Sequence, residues 1–318
     1  MTLPMDPEVL GFLQPLMEAA AQLDPPAVGD VATRRERAVQ FFAMLAASRA
    51  PVDGVEVHHH TMTTADGAEL PLAWYVPSSS KLPGSAVLYL HGGGMIYSLA
   101  ETAPMYDAAV RGYVAASGVP MLMVDYRVAP EHSGSVPVED CYAALCWLAE
   151  HSAELGADPA RLAVAGDSAG GGLAAGVSLL ARDRGGPAPA LQLLIYPMLD
   201  DRTTTPDPEL PPEFLTWTYE DNVTGWGALR GDRAELSVYA APARAEGLTG
   251  LPPTYLDTGD LDIFRTEDID YARRLSTAGV PTELHVHPGC PHAFEGLAPD
   301  ADVSRRVVAD RVRRLRAL

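Results

Sequence analysis

The stretch Gly166-Asp167-Ser168-Ala169-Gly170 carries the residue types that turn a serine oxygen into a nucleophile, and it stands between the apolar run Leu162 to Ala165 and the small-residue run Gly171 to Ala175. A serine at a sharp strand-to-helix turn is held in a strained backbone conformation. Glycines two residues before and two after it remove the side chains that would collide there. The helix that starts at Ala169 also aims its first free N–H groups and its positive dipole end at the serine, where negative charge develops during acyl transfer. The five-residue pattern alone also marks ordinary tight turns, so its neighbours decide what it means.

A neutral serine needs a base within hydrogen-bond reach and a third group that orients the base. In the chain order Ser, acid, His, Asp262 lies just past the apolar run Thr254 to Asp257, and His292 just past Thr282 to Val286. Both sit in loops at the carboxyl ends of expected strands, as Ser168 does, and catalytic groups of open α/β sheets gather at that edge. His292 would take the proton of Ser168 and return it to the leaving group, while Asp262 would hold the tautomer and stabilise the imidazolium. Asp257, Asp260 and Asp268 are nearby competitors for the acid, and a helix cap or solvated loop carboxylate is the plain alternative for Asp262. Upstream, His91-Gly92-Gly93-Gly94 follows the run Ala86 to Leu90. Glycines there let backbone N–H groups reach a ligand, and with the Ala169 N–H they would form an oxyanion hole. The plain alternative is a flexible glycine turn. A phosphate loop is disfavoured, since neither Gly-Lys-Ser/Thr nor G-x-G-x-x-G follows.

Positioning these groups requires alternating strands and helices, and the hydrophobic periodicity predicts them. Helices are expected over Pro7 to Leu23 and Ala32 to Ala47, then a hairpin of Val55 to Thr63 and Leu70 to Val76 around Asp66-Gly67. Strands Ala86 to Leu90, Met121 to Val124, Leu162 to Ala165, Leu191 to Ile195, Thr254 to Asp257 and Thr282 to Val286 follow. Helices over Val138 to Glu150, Ala169 to Ala181, Thr266 to Ala278 and Asp302 to Leu315 accompany them. That rhythm implies a mostly parallel sheet covered on both faces. It breaks between Asp200 and about Gly231, where Pro206, Pro208, Pro211 and Pro212 crowd near Phe214, Trp217, Tyr219 and Trp226, a composition suited to a lid.

The 318 residues, 47% hydrophobic and 20% charged, describe an ordinary globular chain, read as one core with an insertion. No apolar stretch approaches a membrane span, and Met1 to Leu10 has neither a basic leader nor a long apolar core, so a cytoplasmic protein without a signal peptide is expected. Cys141, Cys146 and Cys290 form no metal-binding pair and suit reduced thiols. A formal charge of -19 argues against nucleic acid and anionic lipid as partners, whose surfaces would repel it, and is read as a solubility device. In an alternating strand only His58 and His60 of His58-His59-His60 share a face, so no metal is expected. Cys290, two residues before His292, reads as a packed thiol. Tyr126-Arg127 and Glu131-His132 read as a polar network holding the loop after Met121 to Val124.

With these motifs in hand, the chain closely resembles the hormone-sensitive-lipase-like branch of the α/β-hydrolase-fold carboxylesterases, from about residue 50 to the end. The resemblance rests on His91-Gly92-Gly93-Gly94, Tyr126-Arg127-Val128-Ala129-Pro130-Glu131-His132, Gly166 to Gly171, Asp262-Ile263-Phe264-Arg265 and Gly289-Cys290-Pro291-His292-Ala293-Phe294. It implies that Asp262 is the triad acid and that Gly93 and Gly94 are the oxyanion donors, with Gly92 shaping the loop. It also implies a helical cap from residues 1 to 50 and about 200 to 231 over a catalytic domain of residues 51 to 318. No cofactor is implied, and a homodimer is common among the proteins it resembles. The expected substrate is a short- to medium-chain carboxylic ester, with Met95, Tyr97, Tyr196, Phe214, Trp217 and Trp226 as pocket or cap lining. Met95, Ser98, Gly172 and Ser133-Gly134-Ser135 depart from the family pattern. The alternatives are cleavage of a lactone, amide or thioester, or a non-catalytic binding protein similar to the plant gibberellin receptors, which lack the catalytic histidine.

Overall fold

The computed structural model describes residues 3–79 and 84–318; Lys81, the one lysine, lies outside them. In chain order they form α1 (Pro7–Ala20), α2 (Val31–Ala47), β1 (Val55–Thr63), β2 (Glu69–Pro77), β3 (Gly84–Leu90), α3 (Leu99–Ser117), β4 (Met121–Val124), α4 (Val136–Glu150), α5 (Ser152–Leu155), β5 (Ala157–Asp167), α6 (Ala169–Arg184), β6 (Leu191–Ile195), α7 (Tyr219–Arg230), β7 (Thr254–Gly259), α8 (Arg265–Thr277), β8 (Thr282–His287), α9 (Phe294–Leu297) and α10 (Asp302–Arg316). The eight-stranded sheet runs β1-β2-β4-β3-β5-β6-β7-β8. The hairpin β1–β2 and the β2–β4 pair are antiparallel, and every later neighbour is parallel.

Strands buried on both faces must be apolar at successive positions, and period-two geometry then sends alternate residues to opposite layers. Leu88, Leu90, Leu122, Val124, Val164 and Leu194 join the core beneath α4, α6 and α8. Val87, Tyr89, Met121, Met123, Ala163 and Leu193 join the smaller core beneath α3 and α10.

The sequence reading has no counterpart for α3, a helix of 19 residues. Its buried face is Thr102, Tyr106, Val110, Tyr113 and Val114, where polar-tipped side chains disguise a helical spacing, and Pro104 interrupts the pattern. A readable signal was present: Ser98 and Glu101 form a reciprocal capping box, and Gly118 closes the helix in the left-handed conformation. The segment from 200 to 231 carries α7 in its second half, started by a capping box of Thr218 and Asp221.

Helix α6 lies unusually close to its neighbours because its inner face is glycine. A Cβ at Gly170 would collide with the Leu90 carbonyl oxygen, one at Gly172 with the Met198 carbonyl oxygen, and one at Gly176 with the Tyr239 carbonyl oxygen. Gly176→Ala should therefore destabilise the protein by about 1–3 kcal/mol through overpacking, despite alanine's better helix propensity. Urea denaturation checks this, and an unchanged or raised midpoint contradicts it.

Candidate active site

Ser168 follows β5 directly and precedes the first residue of α6, with φ 56° and ψ -122°, a region that a non-glycine residue enters only under constraint. The constraint is bonded on both sides. Its N–H donates to the Ile195 carbonyl at 2.8 Å, and its carbonyl accepts from Met198 N at 2.9 Å and Gly172 N at 3.0 Å. The turn also needs the flanking glycines, since a Cβ on Gly166 would run into the Gly170 carbonyl.

His292 and Asp262 come to this serine from the loops after β8 and β7. His292 Nε2 lies 2.9 Å from Ser168 Oγ, and His292 Nδ1 lies 2.6 Å from Asp262 Oδ2. Asp262 is 1% exposed and its Oδ1 accepts from Phe264 N at 3.0 Å, so the carboxylate is aimed by the start of α8. The imidazole is held edge-on by Tyr196 and Phe264, with ring centroids at 4.7 and 5.1 Å, and Thr216 Oγ1 donates to the His292 carbonyl at 2.6 Å. In this geometry Nδ1–H donates to the carboxylate, which leaves Nε2 free to accept the serine proton.

None of the three competing aspartates bonds His292. Asp257 forms a two-pronged pair with fully buried Arg311, at 2.7 Å on each arm. Asp260 accepts from Gly289 N at 2.6 Å, bracing the turn before His292. Asp268 is sealed inside with neither oxygen bonded, and burial pushes its carboxyl well above the usual range. Arg311 also reaches Glu295 at 2.5 Å, and Glu295 in turn accepts from Tyr196 at 2.6 Å. The C-terminal helix thus anchors one of the rings that hold His292.

The loop after β3 crosses in front of Ser168. Gly93 and Gly94 take φ 121° and 60°, and a Cβ on Gly94 would overlap the Trp217 ring. The N–H groups of Gly93, Gly94 and Ala169 have no acceptor among the described residues. Gly92 N donates to Tyr106 Oη at 2.7 Å, and Tyr106 donates onward to Asp167 Oδ2 at 2.6 Å, so the glycine loop is tied to the residue beside Ser168. Tyr89 donates to the other oxygen of Asp167 at 2.9 Å. Even with these two donors, burial raises Asp167 to about 6. Burial lowers His91 to about 4, so its ring is neutral and Nδ1–H donates to the Gly92 carbonyl at 2.8 Å.

Ser168 and His292 open into a cavity of about 860 Å³. Of the residues expected to line it, Tyr97, Tyr196 and Trp217 do so. Met95, Phe214 and Trp226 do not: Met95 and Trp226 are buried in the core, and Phe214 packs against it from the insertion. The space that Gly172 leaves open is taken by the Met198 carbonyl, and Met95 Cε packs at its edge, 3.7 Å from where a Cβ would stand. Sequence reasoning missed Leu13, Leu16 and Met17 of α1 and Phe41 and Phe42 of α2 in the lining. The apolar face of those helices was the available signal. The loop after β4 is polar as expected: Tyr126 donates to the His91 carbonyl at 2.7 Å, and Arg35 of α2 grips Glu131 with two bonds of 2.7 Å. Cys290 is buried. Among the described residues no cluster of three or more His, Cys, Asp or Glu is arranged to hold a metal ion, and no helix is long and apolar enough to cross a membrane.

Against known proteins, a family model described as alpha/beta hydrolase fold matches residues 87–296. Esterase LipI of Mycobacterium tuberculosis is 38% identical over 229 residues, covering 70% of this chain and 68% of the relative. Carboxylesterase NlhH of the same species is 37% identical over 240 residues, 72% of each chain. A solved bacterial heroin esterase is 36% identical and superposes with a TM-score of 0.85 over 98% of this chain and 97% of that one.

Two tests follow from the Asp167–Tyr106–Gly92 link. Tyr106→Phe cuts the tether while leaving the N–H donors in place, so kcat for a small ester should fall about tenfold, with KM within about a factor of two. An unchanged kcat contradicts that role. Because the folded pKa of Asp167 is raised, the folded chain binds more protons than the unfolded one between the ordinary carboxyl range and about 6, and this group's contribution to stability declines as pH rises through that window. Asp167→Asn should gain stability relative to the parent between pH 4 and about pH 7, at up to about 1.4 kcal/mol per unit, in urea denaturation. A difference independent of pH contradicts the raised pKa.

Proposed function

The chain belongs to the α/β-hydrolase-fold family, in its hormone-sensitive-lipase-like carboxylesterase branch, and from that membership we propose how this carboxylic ester hydrolase works. Ser168 is the nucleophile, His292 the base and then the acid, and Asp262 the group that holds the imidazole. The observation that carries this reading is the unbroken line from Asp262 through His292 to Ser168, with its bonds of 2.6 and 2.9 Å.

Ser168 Oγ attacks the ester carbonyl carbon as Nε2 takes its proton. The carbonyl oxygen, now negative, is received by the N–H groups of Gly93, Gly94 and Ala169, donors of a kind worth about a hundred- to a thousandfold in rate each. The tetrahedral species collapses, the bond to the alcohol oxygen breaks, and Nε2 returns the proton to that oxygen. A water, deprotonated by His292, then attacks the acyl-serine and releases the carboxylic acid. A short- to medium-chain acyl group is supported by the rings of Trp217 and Tyr97, which stand beside the oxyanion loop in the cavity wall. The helices of residues 1 to 50 and the 200–231 segment act as the cap, a reading supported by Leu13, Phe42 and Trp217 in that wall. A non-catalytic binding role finds no support in a histidine bonded to the serine. Three free thiols support a reducing, cytoplasmic setting.

Ser168→Ala should abolish both hydrolysis of short nitrophenyl esters and covalent labelling by a fluorophosphonate; undiminished turnover overturns the proposal. Asp262→Asn should keep the fold and lower kcat about 10³- to 10⁴-fold through the wrong tautomer.

A further inference from the structure

The cavity at Ser168 does not end beside the serine. It continues along α3 toward α10, with Met105, Ala109 and Gly112 on one wall and Val308 and Val312 on the other, and it passes Ala116 at the far end of α3. From Met105 to Ala116 an α-helix rises about 16 Å. That is far more reach than an acetyl or butyryl group requires.

The floor of this arm is aromatic, and its hydroxyls are already engaged. Tyr89 and Tyr106 donate to Asp167, Tyr113 accepts from Arg311 at 3.0 Å, and Tyr196 donates to Glu295. The two arginines in the lining, Arg49 and Arg305, are bonded to the backbone carbonyls of Gly296 and Asp300. An occupant therefore meets mostly apolar surface, with Ser304 Oγ and Glu295 Oε2 as unbonded polar atoms among the lining residues. Direction follows from the chemistry of the step. His292 hands its proton to the leaving alkoxide, so the alcohol lies on the histidine's side, and Ala293, Gly296 and Leu297, which follow His292 in the chain, line this arm. The acyl end stays with Gly93 and Gly94, under Trp217.

Gly112 is the telling residue. It sits inside α3, where glycine weakens a helix relative to alanine, and no close approach requires it, for a Cβ built there meets no atom within 4 Å. Gly170, Gly172 and Gly176 are explained by a backbone pressed against them; Gly112, like Gly11 and Gly227, has open space beside it, and of these three it alone stands in the cavity wall.

We propose that the arm between α3 and α10 is a subsite for the alcohol moiety of the substrate, that it takes an extended, unbranched alkyl alcohol, and that Gly112 keeps it open. The proposal rests on the ester-hydrolase reading of Ser168. Burying each further methylene should raise kcat/KM about fourfold until the arm is filled.

The test compares two series on the parent, Gly112→Ala and Gly112→Leu: alkyl acetates from ethyl to octyl, followed by acid release, and nitrophenyl esters from acetate to octanoate. Both variants should melt at or above the parent temperature, since a better helix former enters open space. The parent should show kcat/KM climbing steeply along the alcohol series. Gly112→Leu should lower kcat/KM for octyl acetate at least tenfold while leaving ethyl acetate within about twofold, with Gly112→Ala intermediate. A flat alcohol series in the parent, or a Gly112→Leu variant that keeps the full slope, overturns the arm. Truncation of the acyl series alone overturns its assignment to the alcohol. A parent that cleaves neither ethyl acetate nor nitrophenyl acetate overturns the hydrolase reading itself, a result distinct from either.

Discussion

The approach of α6 to the sheet, closer than any side chain would allow, is the constraint from which the site is built. Gly166 and Gly170 bring the end of β5 and the start of α6 against each other and against Leu90 at the end of β3. That contact forces Ser168 to a positive φ and aims the first free N–H groups of α6 outward beside it. It also sets the separation between the elbow and the glycine loop that begins one residue beyond Leu90. A wider helix-to-sheet gap would relax the serine and pull Ala169 away from Gly93 and Gly94 together.

Around that frame, buried charge is arranged so that each ionisable group has one role. Asp257 and Glu295 share Arg311, which lies wholly inside the protein; taking a charge that deep is tolerable only when it is bonded on several sides. The same cluster holds Tyr196, and Tyr196 holds one face of His292. Glu267, pushed up to about 8 by burial, accepts from Leu199 N, Asp200 N and the Thr203 hydroxyl, and so pins the chain leaving β6 to the first turn of α8, next to Asp262. In a chain of net charge -19 the carboxylates near the site are thus neutral, paired or aimed, and Asp262 alone among them is presented to His292.

The extent to which the site could be read in advance differs from residue to residue, for physical reasons. Ser168, the glycine loop and His292 were legible because strained turns and close backbone approach admit few residue types, so the local sequence is nearly forced. Asp262 was one of four aspartates until the resemblance singled it out. Nothing local separates it from Asp257, whose fate depends on Arg311, an arginine far away in the chain on α10. The pocket lining was read least well. Trp217 and Tyr97 face the cavity while Met95, Phe214 and Trp226 pack away from it, and an aromatic or methionine side chain serves either purpose equally well by composition. Helix α3 went unread because its core face is built of Thr and Tyr, although Ser98, Glu101 and Gly118 marked both of its ends.

The amino-acid sequence by itself determined the fold class, the order of the reactive groups and the ester-hydrolase chemistry. Hydrophobic period and turn chemistry act over a few residues, and the motifs that carry the chemistry are equally short. Only the tertiary structure decided which aspartate meets His292, which rings form walls, and that the cavity runs on past Gly112 between α3 and α10. Those outcomes depend on distances between segments far apart in the chain, set by how closely helices and sheet pack, and no local pattern of residues encodes a distance of that kind.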